Sequence, residues 1–148
     1  MVRNRTAWPL RATAWCFGLV LGVPTAVSAV LRATAVVGGH VTLGQFWHQT
    51  VANFTWHVAV TVTVFAVAWL VVRSSASYGM YARMLVVLVG SLLLTWSWLV
   101  QTADTPLAGV LNAPVWLGWA LLGMNVVIMW RWCALLVGAF TPPELRRP

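Results

Sequence analysis

The sequence contains very little charge, and almost all of it has one sign. Only 7% of its 148 residues are charged, with two acids, nine arginines and no lysine. Soluble domains carry about 25% charged residues, so this chain has too few to cover a water-exposed surface. Hydrophobic residues make up 61% of the chain. The composition therefore indicates a membrane protein whose main solvent is lipid.

The scarcity of acids excludes several kinds of chemistry. Asp104 and Glu144 lie outside the apolar segments, so catalysis by paired carboxylates is excluded for this chain alone. No predicted span contains the buried carboxylate that proton-coupled carriers normally use. Walker, GxSxG, HExxH and CxxC motifs are also absent. We therefore expect a chain that is not an enzyme, and at most a subunit of a membrane enzyme complex.

The two cysteines and the net charge of +7 add no further chemistry. Cys16 and Cys133 fall in the first and last apolar segments, where we expect buried thiols without a disulfide. The arginines form no long basic run, so no nucleic-acid partner is predicted. Most of them lie where helix ends would meet the cytosol. The nine are Arg3, Arg5, Arg11, Arg32, Arg73, Arg83, Arg131, Arg146 and Arg147.

The apolar segments predict an all-α polytopic membrane protein with four transmembrane helices in a bundle, forming a single membrane domain over 1–148. All arginines except Arg32 fall on the predicted inner side, which places both termini in the cytoplasm. The absence of lysine and the single isoleucine, Ile128, suggest a GC-rich bacterial genome and hence the bacterial inner membrane. The predicted spans are about 12–36, 53–73, 80–101 and 114–138, with an interfacial helix over 42–52.

The eleven tryptophans agree with this topology. Tryptophan is enriched at both membrane–water interfaces, and the sequence predicts one belt at each. The outer belt is predicted to contain Trp47, Trp56, Trp96, Trp98, Trp116 and Trp119. The inner belt is predicted to contain Trp8, Trp15, Trp69, Trp130 and Trp132.

Local signals organise the first two spans. Val27-Ser28-Ala29 has the outline of a signal-peptide cleavage site, but apolar residues continue beyond it, so we expect a retained helix. Pro24 removes one backbone hydrogen bond from that helix. Gly38 and Gly39 predict a turn. Thr42 and Gln45 have the spacing of a capping box, which predicts a helix start.

Polar residues recur every four positions along the second predicted helix, which places them in one stripe. The stripe is predicted to meet Ser91, Thr95 and Asn125 of neighbouring helices. Such groups either form interhelical hydrogen bonds, worth about 0.6 kcal/mol each on average, or line a polar path. The stripe consists of Gln45, Gln49, Asn53, His57 and Thr61.

The three histidines are the candidates for a metal or cofactor. His40 and His48 are weak candidates for copper or zinc, and ordinary interfacial residues are the favoured interpretation. His57 is the histidine inside a predicted span, whereas a membrane b-haem usually needs two axial histidines from facing helices. No cofactor is therefore predicted, haem and copper are disfavoured, and contact with lipid or quinone is left open.

Two further features concern helix packing. Gly18-x-x-x-Gly22 matches the motif of closely packed membrane helices, and Gly118 and Gly123 are small residues of the fourth segment. They suit packing inside the bundle or against a partner equally well. Arg32 is expected to reach solvent or headgroups at the outer boundary, where a pair with Asp104 would contribute little.

The favoured function is a non-catalytic accessory or structural subunit of a larger bacterial membrane complex, respiratory, oxygenase or transport. Its partners are then other membrane subunits and lipids. The alternative is a small homo-oligomeric transporter or channel with a polar path along Asn53, His57 and Thr61. A weaker alternative is a haem- or metal-handling membrane protein. Size and topology resemble the small subunits of tripartite carriers and the anchors of respiratory enzymes, but no motif assigns a family.

Overall fold

The computed structural model describes residues 7–74, 79–103 and 115–140, which form four α-helices. They are α1 (Ala7–Val37), α2 (Leu43–Ser74), α3 (Gly79–Ala103) and α4 (Val115–Phe140). At 1.5 Å per residue, their lengths run from about 37 Å to about 48 Å, against a hydrocarbon core of about 30 Å. All four are apolar enough to cross a membrane. The prediction of an all-α chain with four candidate spans is confirmed, and it fits a multi-pass membrane protein.

The second helix is longer than the span predicted for it. The segment 42–52, predicted as an interfacial helix, is almost wholly the start of α2, which continues without a break to Ser74. The other three helices begin and end within a few residues of the predicted spans, apart from an earlier start of α1 at Ala7.

Side-chain contacts show that α1 and α2 are antiparallel. The rings of Phe17 and Phe65 lie 5.6 Å apart, centroid to centroid, and meet edge to face. Farther along α1, Arg32 Nη1 lies 3.3 Å from Thr50 Oγ1. As the residue number rises on α1, it falls on α2. The two helices are therefore a hairpin around the turn at 38–42.

The other helices continue the same alternation. Asn125 of α4 contacts Thr95 of α3, and Gly118 lies against Leu99, so these two helices are also antiparallel. The packing is most extensive between α2 and α3 and between α3 and α4. The first helix packs less extensively, against α2 and α4. The result is an up-down-up-down bundle, and the end that carries residues 38–42 is called the turn end below.

The turn between α1 and α2 has the hydrogen bonds of a Schellman motif. The N–H of His40 donates to Ala35 O at 3.0 Å, and that of Gly39 donates to Val36 O at 3.0 Å. Gly39 has φ +73°, a left-handed conformation that glycine adopts without a Cβ clash. The predicted turn at Gly38 and Gly39 is confirmed, and its cause is helix termination.

The predicted capping box is also confirmed. The N–H of Gln45 donates to Thr42 Oγ1 at 3.3 Å, and the N–H of Thr42 donates to Gln45 Oε1 at 3.0 Å. Each side chain thereby satisfies a backbone donor that the first turn of a helix leaves unpaired. The Schellman motif and the capping box together fix where α1 ends and where α2 begins.

Two tryptophans predicted in the interfacial belts lie inside the bundle instead. Trp98 and Trp132 are each 1% exposed. Trp132 lies 4.5 Å from Phe65, ring centroid to centroid, and donates Nε1–H to Thr13 Oγ1 at 2.8 Å. The side chains of Trp8 and Trp116 lie outside the described residues. Trp69 is half-buried. The exposed tryptophans are Trp15, Trp47, Trp56, Trp96, Trp119 and Trp130.

Glycines divide into packed and open positions. A Cβ atom on Gly90 would lie 3.0 Å from Met129 Cε and 3.2 Å from Val64 Cγ1, so this glycine allows α2, α3 and α4 to approach closely. The predicted packing residues behave differently. Gly118 has ordinary contact distance to Leu99, and nothing lies within 4 Å of a Cβ atom built on Gly18, Gly22 or Gly123.

Replacing Gly39 with alanine is expected to destabilise the bundle by about 1–2 kcal/mol, because a Cβ atom is strained in the left-handed conformation. Thermal unfolding of the purified protein in detergent measures the effect. Gly44→Ala is the matched control, since Gly44 is helical and nothing lies within 4 Å of its added Cβ. Equal stability of the G39A and G44A variants would contradict the proposed role of Gly39.

Candidate functional site

A proline in the middle of α1 leaves the carbonyl of Val20 without its helical donor, and polar residues of other helices lie near this carbonyl. Pro24 is buried and has no N–H, so the carbonyl of Val20 lacks its normal donor four residues later. A buried carbonyl without a donor is unfavourable. The imidazole of His57 on α2 takes the place of the missing donor, since its Nε2 lies 3.3 Å from Val20 O.

This contact determines which ring nitrogen of His57 carries the proton. A carbonyl oxygen only accepts, so Nε2 is protonated and donates to Val20 O. Nδ1 of the neutral ring is then an acceptor, and Ser97 Oγ lies 3.4 Å from it. His57 is 2% exposed, and its own carbonyl accepts a bond from Thr61 Oγ1 at 2.7 Å. Both ring nitrogens are therefore engaged between α1 and α3.

The indole of Trp98 makes a second connection between α3 and α1. Its Nε1–H lies 2.8 Å from Ser28 Oγ and 3.3 Å from Pro24 O. Pro24 thus affects the site in two ways. It leaves the Val20 carbonyl free to accept from His57, and its own carbonyl accepts from Trp98. We call Pro24, Ser28, His57, Ser97 and Trp98, with the Val20 carbonyl, the His57 cluster.

Asn125 points into the bundle, where it meets one of its predicted neighbours. Its Nδ2 donates to Thr95 Oγ1 at 3.0 Å, and the residue is 2% exposed. The Oδ1 atom of Asn125 and the hydroxyl of the fully buried Ser91 have no hydrogen-bond partner. His57 bonds to Ser97 rather than to Ser91, Thr95 or Asn125, so the predicted meeting of the stripe with these three residues is not seen at His57.

The predicted polar stripe passes from the surface into the interior. Gln45 is exposed at the turn end, Gln49 and Asn53 are half-buried, and His57 and Thr61 are buried. The four-residue spacing therefore marks the side of α2 that turns towards the other helices as the chain enters the bundle.

Arg32 lies in the interior at the turn end, contrary to the expectation that it reaches solvent. It is 5% exposed, its Nη1 donates to Thr50 Oγ1 at 3.3 Å, and its buried Nη2 atom has no hydrogen-bond partner. Asp104, the alternative partner considered for Arg32, lies outside the described residues. A small pocket adjoins Arg32 and the His57 cluster, lined by Pro24, Thr25, Ser28, Arg32, Thr50, Asn53, Phe54, His57 and Trp98.

The two remaining histidines lie apart from this interior. His40 and His48 are exposed, and His40 folds over the turn, since a Cβ atom on Gly38 would lie 2.9 Å from its Cδ2. Within residues 7–74, 79–103 and 115–140, no three His, Cys, Asp or Glu side chains come together as a metal-binding group.

The geometry limits the chemistry that the site can perform. His57 already uses both ring nitrogens, so an iron or copper ion would have to displace Val20 O or Ser97. Arg32 supplies positive charge and hydrogen-bond donors, which bind and orient an anion but do not abstract protons. The arrangement is therefore suited to holding helices together and to binding a ligand at the turn end.

Sequence reasoning missed Ser28, Ser97 and the inward position of Trp98. A signal was present for the position of His57, since the carbonyl freed by Pro24 must belong to Val20. Val20 and His57 are also almost equally far along the chain from the predicted turn at Gly38 and Gly39. In an antiparallel pair of helices joined by that turn, residues at equal distances from it lie opposite each other, so the sequence could have predicted the contact between Val20 and His57.

The chain matches no protein-family model, no curated protein and no solved structure. Its function is therefore inferred from its own residues and their geometry.

The His57→Ala substitution is expected to destabilise the bundle by about 1–3 kcal/mol, because it leaves the buried Val20 carbonyl without a donor. In a Pro24→Ala background the cost should fall by about 1 kcal/mol, because residue 24 then offers its own N–H to that carbonyl. Unfolding of the four proteins of this double-mutant cycle in detergent measures the coupling.

His48→Ala is the control for the cycle, since His48 is exposed and is expected to cost little in either background. If H57A costs the same with Pro24 and with alanine at that position, the proposed bond between His57 and the Val20 carbonyl is contradicted.

Proposed function

We propose that this chain is a non-catalytic accessory subunit of a larger membrane complex in a bacterial inner membrane. Both termini lie in the cytoplasm, so the turn end faces outward. The arginine distribution supports this orientation, since this placement puts all arginines except Arg32 on the cytoplasmic side, where arginine is enriched. The scarcity of acids and the exposed tryptophans Trp47, Trp56 and Trp119 near the turn end support membrane insertion.

The observation that carries this proposal is that three buried polar side chains each form a hydrogen bond between two helices. His57 connects α2 to α1 and α3, Trp98 connects α3 to α1, and Asn125 connects α4 to α3. A transport path requires polar atoms that are free to exchange partners with a solute. Here the same atoms stabilise one arrangement of four helices, as expected of a structural subunit.

An aromatic cluster supports the same conclusion. Phe17, Phe65 and Trp132 pack together on the side of His57 that is remote from the turn end. Trp132 is 1% exposed and Phe65 is 5% exposed. A solute that passed the stripe of α2 towards the opposite end would have to displace these rings.

The first helix offers the surface for a partner. It is the least buried of the four candidate spans, and Gly18 and Gly22 are exposed on it, one helical turn apart. Small residues at this spacing let a second helix approach closely, which is how membrane helices associate without a hydrophobic driving force. We propose that a transmembrane helix of an unlike subunit occupies this surface.

One observation favours the alternative of a small homo-oligomeric transporter. Asn53 and His57 both line the pocket at the turn end, where a solute could first bind. His57→Ala does not separate the two functions, because His57 also stabilises the bundle. Asn53→Ala is more discriminating, since Asn53 is only half-buried. Flux through liposomes that contain only this chain, abolished by N53A, would establish the transporter.

Native extraction followed by mass spectrometry is expected to recover unlike membrane subunits at fixed stoichiometry. Substituting leucine at both Gly18 and Gly22 should reduce this recovery about tenfold or more, because two bulky side chains prevent close helix contact. The measurement is the ratio of partner to bait peptides after purification in mild detergent.

The matched control is Gly123→Leu, because Gly123 is also exposed with nothing within 4 Å of its added Cβ, but it lies on α4. It should retain the partners. Purification of the wild-type chain as a colourless homo-oligomer would contradict the accessory-subunit proposal, and a Soret band in the intact particle would support haem handling instead.

A further inference from the structure

The strongest unexplained feature of the structure is a buried positive charge with an unused donor. Arg32 is 5% exposed, and its guanidinium carries five N–H donors. Nη1 makes a long bond to the Thr50 hydroxyl, whereas the buried Nη2 has no partner. A neutral hydroxyl does not compensate a charge, and buried charges in proteins are normally paired.

The adjoining pocket offers further groups that can donate hydrogen bonds. Ser28, Thr50 and Asn53 line it beside Arg32. The space in this pocket that a water-sized atom can occupy is about 10 Å³, roughly the room needed for one such atom. A single oxygen atom of a ligand therefore fits beside the guanidinium, and the rest of the ligand must extend outside the pocket.

The position of Arg32 determines where such a ligand comes from. Arg32 lies five residues before the end of α1 at Val37, about 7.5 Å along the axis. This depth is close to the membrane surface for a helix that crosses the bilayer. An anion can reach it from the headgroup region without entering the centre of the hydrocarbon.

We propose that the pocket between α1, α2 and α3 at the turn end is a binding site for an oxyanion, with Arg32 as the charged ligand-binding residue. The chemistry is that of a phosphate or carboxylate oxygen, supplied by an anionic lipid headgroup or by a free anion. A guanidinium presents paired N–H groups that match such oxygens. The proposal does not depend on the accessory-subunit function, because a transporter with the same pocket would also bind the anion.

The test uses the purified full-length chain in nanodiscs of phosphatidylcholine, with and without phosphatidylglycerol. Phosphatidylglycerol should raise the unfolding temperature, and Arg32→Gln should remove the increase and weaken lipid retention about tenfold, because charge-assisted hydrogen bonds are lost. Arg73→Gln is the matched control, since it removes the same charge from an exposed position. It should retain the increase.

Inorganic phosphate distinguishes the two sources of the anion. If phosphate alone, added to the protein in phosphatidylcholine nanodiscs, raises the unfolding temperature in wild type but not in R32Q, the site takes a free oxyanion. If only phosphatidylglycerol does so, the site takes a headgroup. No Arg32-dependent effect of either probe would overturn the proposal.

Arg32→Lys keeps the measurement interpretable if R32Q does not fold. It retains the charge but loses the paired donor geometry, so it should keep a smaller headgroup-dependent increase. Asp104→Asn tests the alternative that Arg32 forms an ion pair with Asp104 of the same chain. If D104N destabilises the protein equally in every lipid and R32K shows no headgroup-dependent increase, Arg32 pairs with Asp104 and the proposal is overturned. The oxyanion site predicts that D104N leaves the headgroup effect intact.

Discussion

The carbonyl of Val20 is the constraint on which the arrangement of the helices depends. Pro24 deprives it of a donor within α1, and a buried carbonyl that is left without a donor is unfavourable. His57 of α2 satisfies it, and the same ring then reaches Ser97 of α3. A local defect in one helix thereby becomes a connection among three, because the polar atom that is costly to leave unpaired selects a particular neighbour.

The pocket beside the His57 cluster also contains Arg32, the group that we propose binds a ligand from outside the chain. Trp98 occupies Ser28 and the Pro24 carbonyl, which leaves Arg32 as the charged group beside the pocket with a donor unused. Interhelical hydrogen bonds of His57 and Trp98 and the aromatic rings of Phe17, Phe65 and Trp132 hold the helices together, whereas Arg32 at the turn end keeps a buried donor without a partner.

Much of the fold could be predicted from the sequence because membrane helices depend on long apolar runs and local end signals. The paired glycines, the spacing of Thr42 and Gln45, and the four apolar segments all correspond to observed features. The burial of Trp98, Trp132 and Arg32 could not be predicted this way. An aromatic or charged side chain near a helix end can face lipid or the neighbouring helix, and the choice depends on helix rotation, which composition does not determine.

The protonation state and contacts of His57 decide whether its ring bonds to the Val20 carbonyl. Nitrogen NMR of ¹⁵N-histidine-labelled protein in lipid bilayers, combined with ¹³C-carbonyl labelling of valine, reports which ring nitrogen carries the proton and whether it lies near the Val20 carbonyl. From the bond between His57 and Val20 we expect a neutral ring with the proton on Nε2, an unprotonated Nδ1, and dipolar coupling between Nε2 and that carbonyl. A proton on Nδ1 with an unprotonated Nε2, or no coupling to Val20, would contradict this bond.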